Sequence, residues 1–396
     1  MILHLLKMVW NRKRTNRLIM LEIFLSFLVL FTVMAISVYY FNNYRLPLGY
    51  SWRNVWVIRA DPKPDIGEVY VRADPGLQEK YRQVFLTIRS FNEVERIAAA
   101  VDAPYDVRKW TQSFLGTRQF TSRVNEVSDG YKDVMNLQVV RGRWFEPADD
   151  SLNWNPVVIT EKFAHMAFGD KDPLGMDISD TPRMRVVGVI SEFRKDGEYS
   201  TPKPYVLFRR SLEKPAADIL RTIVIKVKSG TDRSFEEMLM NGLNGVAKEW
   251  AFEVRPLEET REASLKSAVL SVKILALIDI FLMIMVALGL IGVLWQTVTR
   301  RTMEIGLRRA QGATAANIYL QIMGELFFIA TMGLIPGILL IVQFPLLNLI
   351  GDLKISVYFY SIAISMLLIY LLTFICGLYP GWLATRIRPA EALHYE

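Results

Sequence analysis

The sequence predicts a membrane protein of four transmembrane α-helices, with a large α+β domain between the first and second. Three observations carry this. Hydrophobic residues make up 52% of 396 residues and the mean hydropathy is +0.21, yet 22% of the chain is charged, which fits a few spans plus a sizeable water-exposed domain. Four apolar runs, 18–41, 274–298, 318–344 and 355–378, each exceed the ~20 residues a helix needs to cross the hydrocarbon. Between the first two lies a long stretch, 42–268, in which strand and helix periodicities alternate.

Residues 1–17 hold Lys7, Arg12, Lys13, Arg14 and Arg17 and no acid, which places the N-terminus on the cytoplasmic side. Within them Ile2, Leu3, Leu5, Leu6, Val9 and Trp10 form an apolar stripe, either a short amphipathic helix on the membrane surface or the frayed start of span one. The 18–41 run is too long for a signal peptide and ends in Val38-Tyr39-Tyr40-Phe41, so it is expected to remain as an anchor. The spans then fall at 18–41, 269–298, 318–345 and 355–379. The 299–317 loop and the 380–396 tail, with Arg386 and Arg388, come inside, and the 346–354 link outside. The net charge of +7 is membrane topology rather than a nucleic-acid footprint, because each basic cluster abuts a span.

In the 42–268 domain, 54–59 alternates like a strand, 82–100 has helical spacing (Val84, Phe85, Ile88, Phe91, Val94, Ile97), and 105–115 and 120–127 read as strands. Residues 156–160 form a buried strand entering a helix at 161–168, followed by a turn cluster at 169–175. Further strands are expected at 183–194 and 222–228, then a helix at 234–250 and a strand at 252–256. Two β-α-β units, about 54–115 and 221–256, flank a mostly-β middle; a ferredoxin-like layer with a second subdomain inserted is the economical fold. From Leu257 a charged stretch runs without Gly or Pro into span two, as a helical stalk would.

Nothing in the chain asks for catalysis. It has no Gly-x-x-x-x-Gly-Lys-Ser/Thr phosphate loop, so no nucleotide site of its own. His165 is the one external histidine and Cys376 the one cysteine, inside span four, so neither a zinc site nor a thiol nucleophile is expected outside. His165 reads as a surface or partly packed helix residue. The adjacent acids Asp149-Asp150 and Glu258-Glu259 read as solvated surface.

The segment between spans two and three is the most informative: Arg300-Arg301-Thr302-Met303-Glu304-Ile305-Gly306-Leu307-Arg308-Arg309-Ala310-Gln311-Gly312-Ala313. Its Glu-Ile-Gly-x-Arg-Arg core, the closing Pro380…Pro389-Ala390-Glu391-Ala392-Leu393-His394-Tyr395-Glu396, and the external series Gly142-Arg143-Trp144-Phe145, 156–161, Asp172-Pro173-Leu174-Gly175 and 186–189 resemble the MacB/FtsX-type permease family of ABC transporters, the external series in the order of that family's periplasmic core domain. The resemblance covers essentially the whole chain. Gln311, His394 and Gly381-Trp382 depart from it.

The resemblance implies an extracytoplasmic MacB-like periplasmic core domain of two subdomains, stalks above spans one and two, and a multi-pass permease of the cell inner membrane. It implies a dimer, homodimeric or with a paralogue, over a separate ABC ATPase that holds the ATP and Mg, while this chain binds no cofactor or metal. Its function would be mechanotransmission for export or extraction of a lipoprotein, peptide or toxic compound; the alternative is an FtsX-like regulator of an envelope partner such as a cell-wall hydrolase.

Glu304, Ile305, Gly306, Arg308, Arg309, Gly312 and Ala313 are then the ATPase-coupling residues. The charged ones would hold register under load and the small ones would allow close approach or a sharp exit into span three. The arginines alone also satisfy the inside-positive rule. Asp279 and Glu325 lie at membrane depth, where charge is costly and faces protein; Glu325 reads as an inter-helix contact, with an ion path as the alternative. Gly289 and Gly292 on span two and Gly333-x-x-Pro336-Gly337 on span three have helix-packing spacing, the last serving equally as a kink.

Overall fold

A computed structural model describes residues 13–62, 70–72, 75–106, 122–180, 182–213, 218–300, 302–347 and 353–386. The chain divides into two compact units, Asn43–Ser267 and the combination of Met1–Asn42 with Ala268–Glu396. The stripe at residues 1–12, the tail beyond 386 and most of the 346–354 link lie outside the described residues.

Span one is α1, Lys13–Tyr44, so residues 13–17 continue into the span helix without a break. The inter-span domain then begins with β1 (Val55–Asp61), β2 (Tyr70–Arg72), α2 (Pro75–Ser90) and β3 (Val94–Ala100). It continues through β4 (Arg123–Val127), α3 (Tyr131–Met135), β5 (Val139–Gly142), a 3-10 turn at Pro147–Ser151, β6 (Asn155–Thr160) and α4 (Glu161–Phe168). Next come β7 (Asp177–Asp180), β8 (Arg183–Ile190), β9 (Tyr205–Arg209), β10 (Asp218–Leu220) and β11 (Thr222–Val227). The domain closes with α5 (Ser234–Val246) and β12 (Ala251–Pro256).

One sheet of ten strands runs β12-β1-β11-β3-β4-β9-β6-β8-β5, with β7 on β8, while β10 and β2 form a separate pair. Its first four strands are antiparallel neighbours in the order 4-1-3-2 of a ferredoxin-like layer. The other half is the insert, mixed parallel and antiparallel. The halves meet at a single register pair, Ala100↔Val127.

The period of two explains the layering. From β1, Trp56, Ile58 and Ala60 pack under α2 and α5 with Tyr81, Val84, Ile88, Phe235 and Leu239. Val55 faces the opposite core, with Tyr131, Trp144, Phe193 and Leu257. In the insert Val157 and Ile159 of β6 pack against Phe163 of α4, while Val158 faces the other side. Thr160 caps α4, its Oγ1 accepting from the Phe163 amide at 3.4 Å.

Two readings of this domain need correction. The helical spacing over 82–100 holds only to Ser90; after a turn at Phe91, residues 94–100 form β3. Val94 and Ile97 fit a helix face, but Ala98, Ala99 and Ala100 are fully buried in a strand whose register is dictated by β11. The first β-α-β unit therefore ends on β3. Tyr105 and Asp106 lie in a turn, and the rest of the 105–115 strand falls outside the described residues.

The acid pair Asp149-Asp150 is not solvated surface. Asp149 is buried and takes both arms of Arg143, at 2.9 and 2.5 Å. Asp150 and Asp129 clamp Arg209 at 2.5 and 2.8 Å. His165 is exposed on α4.

From Leu257 one unbroken helix, α6 (Leu257–Arg300), carries the charged stretch into span two. It is followed by α7 (Thr302–Ala310), α8 (Ala315–Leu346) and α9 (Ile355–Thr385). Four helices, α1, α6, α8 and α9, are long and apolar enough to cross a membrane.

The bundle packs through small residues. A Cβ on Gly333 would lie 2.9 Å from Ile23 Cγ2, and one on Gly337 2.6 Å from the Phe27 ring, so this pair, one turn apart on α8, admits α1. Gly377 and Gly381 do the same on α9 against Met323 Sδ (2.5 Å) and the Tyr319 ring (2.8 Å) of α8. This second pair has the same four-residue spacing and escaped the sequence reading.

Candidate functional site

The site is the corner between α6 and α8. Helix α7 buries Ile305 and Gly306 in the bundle, Ile305 joining the apolar cluster of α1, α8 and α9. Met303 and Leu307, four apart, are 57% and 50% exposed beside Glu304. The helix thus has one apolar side buried and a second apolar pair exposed. Neither residue is among the coupling residues expected from the sequence.

The C-terminus of α7 is a Schellman turn. Ala313 N donates to Arg308 O (3.0 Å) and Gly312 N to Arg309 O (3.1 Å), with Gly312 at φ +95°, a conformation that glycine adopts freely. Thr314 then caps α8, accepting from Asn317 N at 3.3 Å. Two helices thus join through four residues, 311–314.

Polar links tie α7 to the spans behind it. Arg308 donates from Nη2 to Glu304 Oε1 at 2.6 Å and from Nη1 to Gln321 Oε1 on α8 at 2.5 Å. Gln321 Nε2 in turn donates to Glu325 Oε1 at 3.4 Å. Arg309 Nη1 donates to the carbonyl of Thr385, the last residue of α9, at 2.7 Å. Five side chains, Glu304, Arg308, Gln321, Glu325 and Arg309, therefore join α7 to both following spans. Gln321 had not been singled out, and it is the residue that connects Arg308 to Glu325.

Asp279 lies elsewhere on α6, buried, its Oδ1 without a hydrogen-bond partner among the described residues. A third carboxylate at membrane depth, Glu22 on α1, was legible as a lone acid in the first apolar run but was missed. Its Oε2 is likewise without a partner among the described residues and faces Gly289, where a Cβ would approach it to 2.7 Å. Among the described residues nothing lies within 4 Å of a Cβ placed on Gly292.

The profile of the MacB-like periplasmic core domain matches residues 18–237, and that of the FtsX-like permease C-terminal matches residues 276–389. The chain belongs to this MacB/FtsX-like family of ABC transporter permeases. It is 27% identical over 295 residues to the macrolide export ATP-binding/permease protein MacB of Bdellovibrio bacteriovorus, covering 70% of this chain but 45% of that protein. It is 26% identical over 281 residues to the ABC transporter permease YknZ of Bacillus subtilis, covering 69% of this chain and 70% of that one. Among solved structures, the periplasmic region of MacB from Actinobacillus actinomycetemcomitans aligns with 54% of this chain and 92% of its own, at 16% identity and a TM-score of 0.39. Together the profiles and the four apolar helices make this a multi-pass membrane protein with an α/β domain between its first two spans.

Proposed function

We propose that this permease is the moving part of a mechanotransmission complex, driven at α7 by an ABC ATPase. The observation that carries the reading is the corner itself: an outward Met303–Leu307 face on a short helix whose arginines are bonded into α8 and α9. A push on that face reaches two spans through charge-assisted hydrogen bonds, which hold geometry better than neutral ones. ATP and Mg belong to the partner, two permease copies or a paralogous pair stand over two ATPase subunits, and α7 and both termini lie in the cytoplasm of an inner membrane. The positive-inside bias supports that orientation. The inter-span domain then works on the far side, on a lipoprotein, a peptide or a small toxic compound.

The test is co-purification of the detergent-solubilised chain with an ATPase, comparing wild type with Leu307→Glu and Arg308→Glu. Both variants are expected to lose the ATPase while keeping a cooperative melt, Leu307→Glu within about 0.5 kcal/mol of wild type, as exposed changes are. Retained ATPase would overturn the reading. Crosslinking on the domain side separates the uses: a lipidated or small cargo supports export, and a trapped cell-wall hydrolase replaces export with the regulator reading.

A further inference from the structure

The loop 191–200 of the insert gathers contacts from both ends of the inter-span domain. Arg194, 1% exposed, donates from Nη1 to the carbonyl of Leu46 at 2.6 Å and from Nη2 to that of Ser200 at 2.6 Å, with Nε on Ser200 at 3.1 Å and a further bond to the Glu198 carbonyl. Its own amide donates to Leu48 O at 3.0 Å. Leu46 and Leu48 lie just past the end of α1, and Asn43 Nδ2, within α1, donates to Tyr199 O at 3.2 Å. Tyr44 and Tyr199 stack at 5.8 Å. One side of the loop is thus sewn to the exit of span one.

The other side is sewn to α6. Glu198, buried, accepts from Arg261 Nε at 2.5 Å and from Tyr105 OH at 3.0 Å. Burial pushes the Tyr105 phenol up, so it stays a donor. The Arg261 guanidinium also lies 4.4 Å over the Trp52 ring. Lys195 anchors the middle of the loop through a buried ion pair with Asp102. Gly197 adopts φ +86° with its Cα against the Tyr105 ring, where a side chain would collide.

We propose that loop 191–200 is a clasp, in which Arg194 and Glu198 act as positioning residues that hold the exit of span one, the start of α6 and the inserted subdomain as one body. A buried guanidinium satisfied by main-chain carbonyls fixes backbone, not only side chains, because unmaking those bonds strands the buried cation itself and the Glu198 carbonyl. The rigidity stands on the contacts above; its use as the link that carries helix movement into the insert rests on the mechanotransmission reading.

The experiment uses the full-length chain in detergent, with Cys376→Ala removing the native thiol and spin labels at His165→Cys on α4 and Lys266→Cys on α6, both exposed positions. The clasped chain is expected to give one narrow distance distribution. Glu198→Gln, which keeps the Tyr105 bond, and Arg261→Met are each expected to widen it about twofold or more as the loop releases α6. Arg261→Lys is expected to recover part of the narrowing, since the charge is restored without the planar guanidinium that lies over Trp52. Equal widths in wild type and variants, narrow or broad, overturn the clasp. If a variant loses its cooperative melt, hydrogen exchange on the wild type decides: 46–49 and 191–200 exchanging as one unit supports the clasp, and independent exchange overturns it. These readouts need no ATPase, so failed ATPase capture would sink the preceding reading and leave this one standing.

Discussion

Two arginines organise two corners of this chain, and they do it in opposite ways. Arg194 is 1% exposed and spends its donors on backbone carbonyls of Leu46, Glu198 and Ser200. Arg308 has 37% of its side chain exposed and bonds two side chains, Glu304 and Gln321. The first cannot let go without stranding one buried carbonyl and two part-buried ones; the second exchanges its partners for water at little cost. The inter-span domain is therefore built to keep its shape, and the α7 corner to adjust while remaining attached.

The sharpest way to break that contrast is to give both arginines the same substitution. Arg194→Met should destabilise the chain by about 2–3 kcal/mol, because the buried carbonyl of Glu198 and the part-buried ones of Leu46 and Ser200 lose their donor. Arg308→Met should cost about 0.5 kcal/mol. Thermal melts of the full chain in detergent, followed by tryptophan fluorescence, measure both, and equal costs would erase the distinction. Lys195→Met alone should cost about 3–5 kcal/mol, as it takes the lysine away from the buried Asp102 carboxylate; adding Asp102→Asn should return most of that loss. A double variant as unstable as the single would mean the pair is not what the clasp rests on.

In the bundle, Gly333→Leu should lower stability by about 1–3 kcal/mol through collision with Ile23, against little change for Gly292→Leu. Unfolding by rising SDS compares them, and similar losses would show that span three does not pack through this glycine. The smallest effect concerns pH. Burial pulls the Asp149 carboxyl upward, but the bonds from Arg143 and the Glu146 amide outweigh it and hold the pKa below its ordinary 3.8. A lowered acid contributes stability in full above its unfolded pKa and loses it as pH falls through the folded one. Melting temperature should therefore drop from about pH 4 downward, and Asp149→Asn should flatten that part of the curve. An unchanged slope would mean that the insert does not depend on the Arg143–Asp149 pair.

Much of the fold was legible because burial period and length are local signals. The four apolar runs, the strand-to-helix step at Thr160 and the unbroken run from Leu257 into span two needed no partner to be recognised. Misreadings came where a neighbour decides. Val94 and Ile97 suit a helix face equally well, and only pairing with β11 makes them a strand. Asp149 looked like surface because the 3-10 turn, not sequence spacing, folds it back onto Arg143. At the α7 corner, Glu304, Arg308 and Arg309 were readable as charge near a span, whereas Gln321 gains its role only when α7 folds back on α8.

The sequence by itself determined how many times the chain can cross a bilayer, where its basic residues cluster and which family it resembles, because hydropathy, charge and motif order are properties of the linear chain. Only the tertiary structure decided that ten strands form one sheet joined at a single pair, and that a loop in the insert grips both ends of its domain. The physical reason is that a hydrogen bond between residues 148 apart, such as Arg194 to Leu46, leaves no periodicity in either segment. Its donor and acceptor become neighbours only after the cores between them have packed.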